Sequence, residues 1–298
     1  MLSVPTIDVC ICTYRRESVS DTLRSVAAQS GLPASTHVRI VVADNDETPS
    51  AESLLRGLAD ELGIDLLYVH APARNISIAR NACLDAATAP LVAFLDDDLI
   101  ATPHWLTALV EKADATGADV VFGPVKASYP QGSPGWARAA DLHSTLPTIL
   151  PDDTIVTGYT CNVLMRSATV GPLRFKPELG RSGGEDTLFF HTLSRDGARF
   201  VFADEAIMRE EVNPARINLK WLVKRSFRAG QTHARILRSN GERPVVAIPK
   251  LFLKAGFCFG LAALHVGSPP AWRQSLVRGA LHVGALSSMI GARDLELY

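Results

Sequence analysis

The chain has no CxxC pair, and none of its five cysteines (Cys10, Cys12, Cys83, Cys161, Cys258) lies near a histidine at zinc-ligand spacing. That excludes a zinc module and a disulfide framework, and it leads us to expect reduced thiols in a cytosolic protein. An excess of one charge is also missing. Thirty Lys and Arg face 31 Asp and Glu, which argues against a broad nucleic-acid-binding surface. Neither a P-loop nor a GxGxxG fingerprint is present, so nothing in the chain cradles phosphates by a glycine-rich turn. No stretch reaches the ~18 uninterrupted apolar residues of a spanning helix. Met1 to Asp8 shows no basic segment followed by an apolar core, so no secretory signal is expected. With 47% hydrophobic residues over 298 positions, the chain has enough apolar material for one large or two modest domains.

What is present centres on Leu91-Val92-Ala93-Phe94-Leu95-Asp96-Asp97-Asp98. Five apolar residues behind Pro90 read as a buried strand. The three carboxylates that follow cannot be buried as unpaired anions, because desolvating a charge is costly. A strand tip holding a divalent cation, Mg²⁺ or Mn²⁺, on oxygen ligands accounts for them. A solvated loop ahead of a helix starting at Thr102-Pro103 accounts for them too.

Strand and helix patterns alternate five times over the first ~125 residues. Strands are expected at residues 7–12, 38–42, 66–70, 91–95 and 120–122, with helices at about 19–29, 51–62, 75–87 and 103–116 between them. This alternation implies an α/β fold with parallel strands joined by right-handed crossovers. In such sheets the ligand site lies outside the carboxyl ends of the strands. Thr13 to Arg16, Asp44 to Asp46 and Asp96 to Asp98 all fall at those ends.

Beyond residue 125 the pattern breaks. Residues 126–153 are punctuated by proline and glycine and read as a long functional or mobile loop, in which Trp136 and His143 either contact a sugar or acceptor or simply anchor the loop. A strand-like pattern resumes around Gly158 to Asn162. Gly183-Gly184-Glu185-Asp186 opens a helix, a late strand follows at 199–202, and residues 217–238 form a basic helix. Residues 251–266 and 276–290 are Ala/Gly/Leu-rich and each too short to span a bilayer comfortably. They read as a helical hairpin lying in a membrane interface, or packed on the catalytic domain or a dimer partner. The expected division is a catalytic domain over 1–240 and a hydrophobic helical tail over 241–298.

Cys12-Thr13-Tyr14-Arg15-Arg16, Ala43-Asp44-Asn45, Ser77-Ile78-Ala79-Arg80-Asn81, Phe94-Leu95-Asp96-Asp97-Asp98 and Gly184-Glu185-Asp186 occur in order. As a set they resemble the family 2 glycosyltransferases, inverting enzymes of GT-A fold that use nucleotide-diphosphate sugars. Asn75 to Asn81, His143 to Pro147, Thr157 to Asn162, Ser182 to Thr187 and Arg228-Ala229-Gly230-Gln231-Thr232-His233 are similar to the ExoM-type branch. That branch adds glucose to a lipid-linked oligosaccharide in succinoglycan exopolysaccharide synthesis. The resemblance implies a GT-A, Rossmann-like, mostly parallel sheet flanked by helices, and a peripheral enzyme at the inner face of the cell membrane. It implies that Thr13, Tyr14, Arg15 and Asp44 hold the nucleoside of a sugar donor such as UDP-glucose. Arg80 would help with the nucleotide or its phosphates, Asp96 and Asp97 would face ribose and metal, and Asp98 would ligate Mg²⁺ or Mn²⁺. Asp186 would be the general base, with Glu185 beside it.

The residue types suit that chemistry. Negative charge grows on a departing diphosphate, where a cation and arginines stabilise it, and a carboxylate can take the proton of an attacking hydroxyl. A base at a helix start is stabilised as an anion, which lowers its basicity unless burial offsets the dipole. An Asp-nucleophile phosphatase would carry its acidic motif on the first strand, not a fourth. A sugar nucleotidyltransferase would want an early glycine-rich loop. A non-catalytic membrane scaffold of the same fold would not need the full acidic set.

Overall fold

In the computed structural model, residues 6–295 are described. In chain order the elements are β1 Ile7–Thr13, α1 Val19–Ala27, β2 Val38–Asp44, α2 Glu52–Leu62, β3 Asp65–His70, α3 Ile76–Ala86, β4 Leu91–Asp96 and β5 Leu99–Ala101. They continue with α4 Trp105–Thr116, β6 Val120–Phe122, β7 Val125–Ser128, α5 Gly135–Ala140, β8 Asn162–Arg166, α6 Ser167–Val170 and α7 Glu185–Arg195. Last come β9 Phe200–Phe202, β10 Met208–Glu211, α8 Leu219–Ser239, α9 Pro244–Leu264 and α10 Pro269–Met289.

The chain forms two compact units. The first takes the chain up to Lys126, Ser144–Gly180 and Glu185–Glu210. Its centre is a seven-stranded sheet in the order β3-β2-β1-β4-β8-β6-β9. β1 runs parallel to both β2 and β4, and β2 parallel to β3. β8 is antiparallel to β4 and to β6, so β6 points the same way as the first four strands. The mostly parallel sheet thus follows from the strand–helix alternation. The insertion of β8 does not, because its pairing is set by residues some 70 positions away. Apolar side chains cover both faces: Ile7, Val9, Ile11, Val42 and Leu95 pack with Trp105 on one, and Cys10, Val41, Phe94, Phe122 and Phe190 on the other. Burying one such large side chain is worth about 1.5–3 kcal/mol. The central strands therefore read as unbroken hydrophobic runs.

Three expectations need correcting here. Asn162 begins the strand expected around Gly158, and the residues before it are irregular. A side chain on Gly158 would run into the Phe122 ring, a close approach that regular pleating does not supply. Residues 126–153 are not a plain loop: they hold most of β7, all of α5 and a bridge from Val125 to Thr145. β5, which follows the acidic triplet directly where one reading expected a solvated loop, pairs antiparallel with residues 208–210.

The second unit comprises Ala127–His143, Arg181–Gly184 and the chain from Glu211 onward. In it α8, α9 and α10 pack together. α8 and α10 cross at two glycines. A Cβ on Gly230 would overlap the Leu281 carbonyl, and one on Gly284 would overlap the Phe227 carbonyl. Only hydrogen at both positions lets the backbones touch. α9 starts seven residues ahead of the apolar run expected from residue 251, because Pro244 occupies the first turn, where a missing N–H costs nothing. At 21 residues it is long and apolar enough, by length and composition, to cross a membrane, which corrects the expectation that each run falls short. Ala247, Leu251, Ala255, Cys258 and Ala262 form its buried stripe, while Phe252, Leu253 and Phe257 are about 70% exposed.

Candidate active site

Strand register brings the predicted clusters to one rim. Thr13 stands opposite Asp44, and Cys12 opposite Asp96, so β2, β1 and β4 end side by side. The Thr13 hydroxyl donates to Asp97 Oδ2 at 2.8 Å. Arg16 is ion-paired to Asp98 and lies 3.5 Å from Asp97 Oδ1. Arg15 Nε donates to Asp46 Oδ1 at 2.9 Å, and this contact holds the Asp46 carboxyl down at about 2. The Arg15 and Arg74 guanidiniums lie 5.4 and 5.7 Å from the centre of the Tyr14 ring, within cation–π reach. Both arginines have positive φ, 51° and 46°, a conformation that non-glycine residues adopt at a cost of about 1–3 kcal/mol.

Asp44 is fully buried and its carboxylate is already engaged. It accepts from the Asp46 and Ala51 amides at 3.0 Å each and from the Tyr68 hydroxyl at 2.7 Å. Its direct effect is therefore to shape the loop after β2.

The second half of the site comes from α3 and α7. Asn75 caps α3, accepting from the Ser77 and Ile78 amides and donating to the Pro177 carbonyl. Ser77 donates to the Lys176 carbonyl, and Asn81 exchanges two hydrogen bonds with the Phe175 backbone, each at 2.8 Å. Three of the polar residues in the Asn75–Asn81 motif thus hold the segment 175–180 against α3. The fourth, Arg80, enters the site. Its buried guanidinium is ion-paired to Glu185 and stands 3.7 Å from Asp96 Oδ1. Burial opposes the charge on Arg80, but Glu185, Asp96 and Asp186 outweigh it and raise its pKa. One arginine thereby joins the aspartate triplet to Glu185 at the start of α7.

The carboxylates here are poorly satisfied. Protein crowding on most sides, and the triplet's mutual repulsion, push both Asp96 and Asp97 up to about 6. Asp96 nevertheless keeps 45% of its side-chain surface open. Asp186 is also shifted upward, first by burial and then by Glu185. Burial outweighs the Thr187 amide, which donates to Asp186 Oδ1 at 2.7 Å and favours the anion. Glu185 Oε2 is buried without a hydrogen-bond partner. Five carboxylates thus share two guanidiniums, Arg16 and Arg80.

Among the described residues no three His, Cys, Asp or Glu side chains converge to chelate an ion by themselves. The donors at the rim are carboxylate oxygens in electrostatic excess. That suits a hard cation such as Mg²⁺ or Mn²⁺, which takes one or two carboxylates and completes its shell with substrate phosphates and water. The residues present fit such an ion.

Arg16 and Asp46 fall in the strand-end clusters expected from the sequence, but neither was given a role of its own there, and Arg74 joins the rim without such a signal. Arg16 is adjacent to Arg15 in a strand-end loop. Its role depends on which of two neighbouring arginines turns toward the triplet, and sequence does not carry that choice.

The model for Glycosyl transferase family 2 matches residues 8–170. The chain belongs to that family. Over 296 residues it is 46% identical to succinoglycan biosynthesis protein ExoM of Rhizobium meliloti, covering 98% of this chain and 95% of that one. It is 30% identical over 154 residues to validoxylamine A glucosyltransferase of Streptomyces hygroscopicus subsp. limoneus, covering 51% of this chain and 32% of that protein. Among solved structures it is similar to the mannosyltransferase PcManGT from Pyrobaculum calidifontis in complex with GDP-Man and Mn²⁺. That match has a TM-score of 0.66 at 16% identity, over 97% of this chain and 88% of that one. S. aureus TarS 1-349 in complex with UDP-GlcNAc gives 0.54 at 17% identity, over 96% and 92%. The fold is GT-A, and this family 2 member is a glycosyltransferase.

Proposed function

We propose that the chain is an inverting glucosyltransferase that moves glucose from UDP-glucose to a lipid-linked oligosaccharide in exopolysaccharide synthesis. The observation that carries this reading is Arg80, which draws Asp96 and the Glu185–Asp186 helix start to one centre. The near full-length similarity to a succinoglycan biosynthesis protein supports the pathway.

In the proposed reaction the uridine lies along the loops after β1 and β2, by Thr13, Tyr14 and Arg15, on the support that Asp44 gives its loop. Asp98, with Asp96 and Asp97 beside it, would hold Mg²⁺ or Mn²⁺. A bound cation there supplies charge neutralisation for a diphosphate. Arg80 stabilises negative charge developing at the donor phosphates and is ion-paired to Glu185. Asp186 accepts the proton of the acceptor hydroxyl. As that oxygen bonds to the anomeric carbon, the bond from this carbon to the diphosphate oxygen breaks, and UDP leaves. One base on the face opposite the leaving group gives a single displacement with inversion.

The membrane part of the proposal rests on α9. Its outer face, with Phe252, Leu253, Phe257 and Leu264 at 68–79% exposure, and Lys250 and Lys254 nearby, suits an anionic bilayer surface. Liposome sedimentation of Phe252→Asp/Phe257→Asp should show lost binding; unchanged pelleting would remove α9 as the anchor.

The test of the whole reading is a panel of nucleotide sugars with and without Mn²⁺ or Mg²⁺. Each is assayed for release of nucleoside diphosphate on addition of a lipid extract from the source cells. UDP-glucose with a divalent ion should be preferred. Release of pyrophosphate would instead mark a nucleotidyltransferase, and no release with any donor would mark a scaffold.

A further inference from the structure

Gly183 and Gly184 have φ of 81° and 87°, a backbone region that side chains rarely tolerate. The turn is held from one face of α8. Arg228, Thr232 and Arg235 recur at helical spacing, so they point the same way. Arg235 Nη1 donates to the Gly183 carbonyl at 3.0 Å, and Arg228 Nη1 to the Ser182 carbonyl at 3.4 Å. A Cβ on Gly183 would run into the Arg228 guanidinium, and one on Gly184 into the Thr232 side chain. The backbone of 182–184 therefore lies flush against these three side chains. The next two residues of the chain are Glu185 and Asp186.

α8 is itself pinned from behind. Besides the Gly230–Gly284 crossing with α10, Gln231 donates to the Arg293 carbonyl at 3.0 Å and accepts from the Leu295 amide at 2.8 Å. Arg238 donates to the Ser288 carbonyl. Arg235 is also ion-paired to Asp294.

We propose that Arg228, Thr232 and Arg235 are positioning residues: they fix the peptide planes of 182–184, from which the chain passes directly into Glu185 and Asp186. α10 acts one step further back, by fixing α8. This rests on the reading of Asp186 as the base. The sequence run Arg228 to His233 then serves geometry rather than ligand binding. The geometry matters because a misplacement of about 1 Å at a reacting group can cost ~10²-fold in rate.

The test uses full-length Arg228→Gln, Arg235→Gln and Arg235→Lys, with Asp186→Asn as a parallel arm. Three quantities are read: UDP affinity, kcat for glucose transfer from UDP-glucose to the lipid extract, and amide exchange of the peptide covering 181–187. Both Gln variants should lose on the order of 10- to 100-fold in kcat with UDP affinity changed less than about twofold. Exchange at 181–187 should accelerate while the sheet peptides stay protected. Arg235→Lys, which keeps one donor, should recover most of the rate. Unchanged exchange with unchanged kcat would overturn the clamp, as would a rate loss matched by an equal loss of UDP affinity. If the Gln variants do not fold, Thr232→Ala, which removes only the contact on Gly184, should still accelerate exchange at 181–187; no acceleration overturns the proposal. If Asp186→Asn keeps its kcat, the base is misassigned, and the exchange data still decide whether the clamp exists.

Discussion

Two buried carboxylate–arginine sites stand at opposite ends of the same sheet, and they are built differently. At the amino end of β1, Asp8 is fully buried and takes a fork from Arg39 at 2.7 and 3.0 Å, plus the Thr88 and Ala89 amides at 2.7 and 2.8 Å. Its two oxygens accept four hydrogen bonds between them, and Arg39 Nη2 also donates to the Ala86 carbonyl and the Thr88 hydroxyl. At the carboxyl end, five carboxylates share two guanidiniums, Glu185 Oε2 has no partner, and Asp96, Asp97 and Asp186 are all displaced toward neutrality. A saturated pair closes a corner of the fold. An unsaturated one leaves capacity for a cation, a diphosphate or a proton.

The largest effect should come from removing the proposed proton acceptor. Asp186→Asn should lower kcat by about 10³-fold while UDP affinity stays within about twofold; near-normal turnover would reassign the base. Next, Asp98→Asn should weaken Mn²⁺-dependent binding of UDP-glucose by roughly 10²-fold and leave metal-free binding of uridine unaltered. Equal losses with and without Mn²⁺ would mean that Asp98 acts only through its pair with Arg16. At the other end of the sheet the expected loss is of stability. Asp8→Ala strands Arg39 and two amides, a defect worth about 3 to 5 kcal/mol by urea unfolding, with kcat per folded molecule changed less than about twofold. A large kcat effect from Asp8→Ala would erase the distinction between the two ends.

Much of this division is legible in the chain, for physical reasons. Strand periodicity and the parallel alternation locate Thr13, Asp44 and Asp96 at strand ends, and parallel register then obliges them to be neighbours. The residues that link this rim to Glu185 are harder to read. Arg80 reaches Glu185 across 105 positions, and its motif mates Asn75, Ser77 and Asn81 are spent on the 175–180 backbone. Polar residues in one short motif thus divide between scaffold and site according to which way α3 faces. Asp44 shows the converse: a strand-end acid in the right place whose oxygens the loop has already claimed. Local periodicity cannot report how many donors a carboxylate will meet.

The smallest expected effect tests the unsaturation itself. Asp96 and Asp97 have native pKa values near 6 against an ordinary 3.8. Between about pH 4 and pH 6 the native state therefore holds protons that the unfolded chain has released. Stability then falls as pH rises through that window, because above it two crowded anions must be kept ionised. The urea midpoint of the metal-free protein should decline from pH 4.5 to pH 7, and Asp97→Asn should flatten the decline. Added Mn²⁺ should raise the midpoint more at pH 7 than at pH 4.5 if, as proposed, the ionised rim holds it. On the proposed reading of Asp186 as the base, turnover runs the other way: it would have to be deprotonated to act, so kcat should rise with pH through its elevated pKa. A midpoint that climbs over the same range would mean the carboxyl-end cluster is as well satisfied as Asp8, and that the contrast between the two ends does not hold.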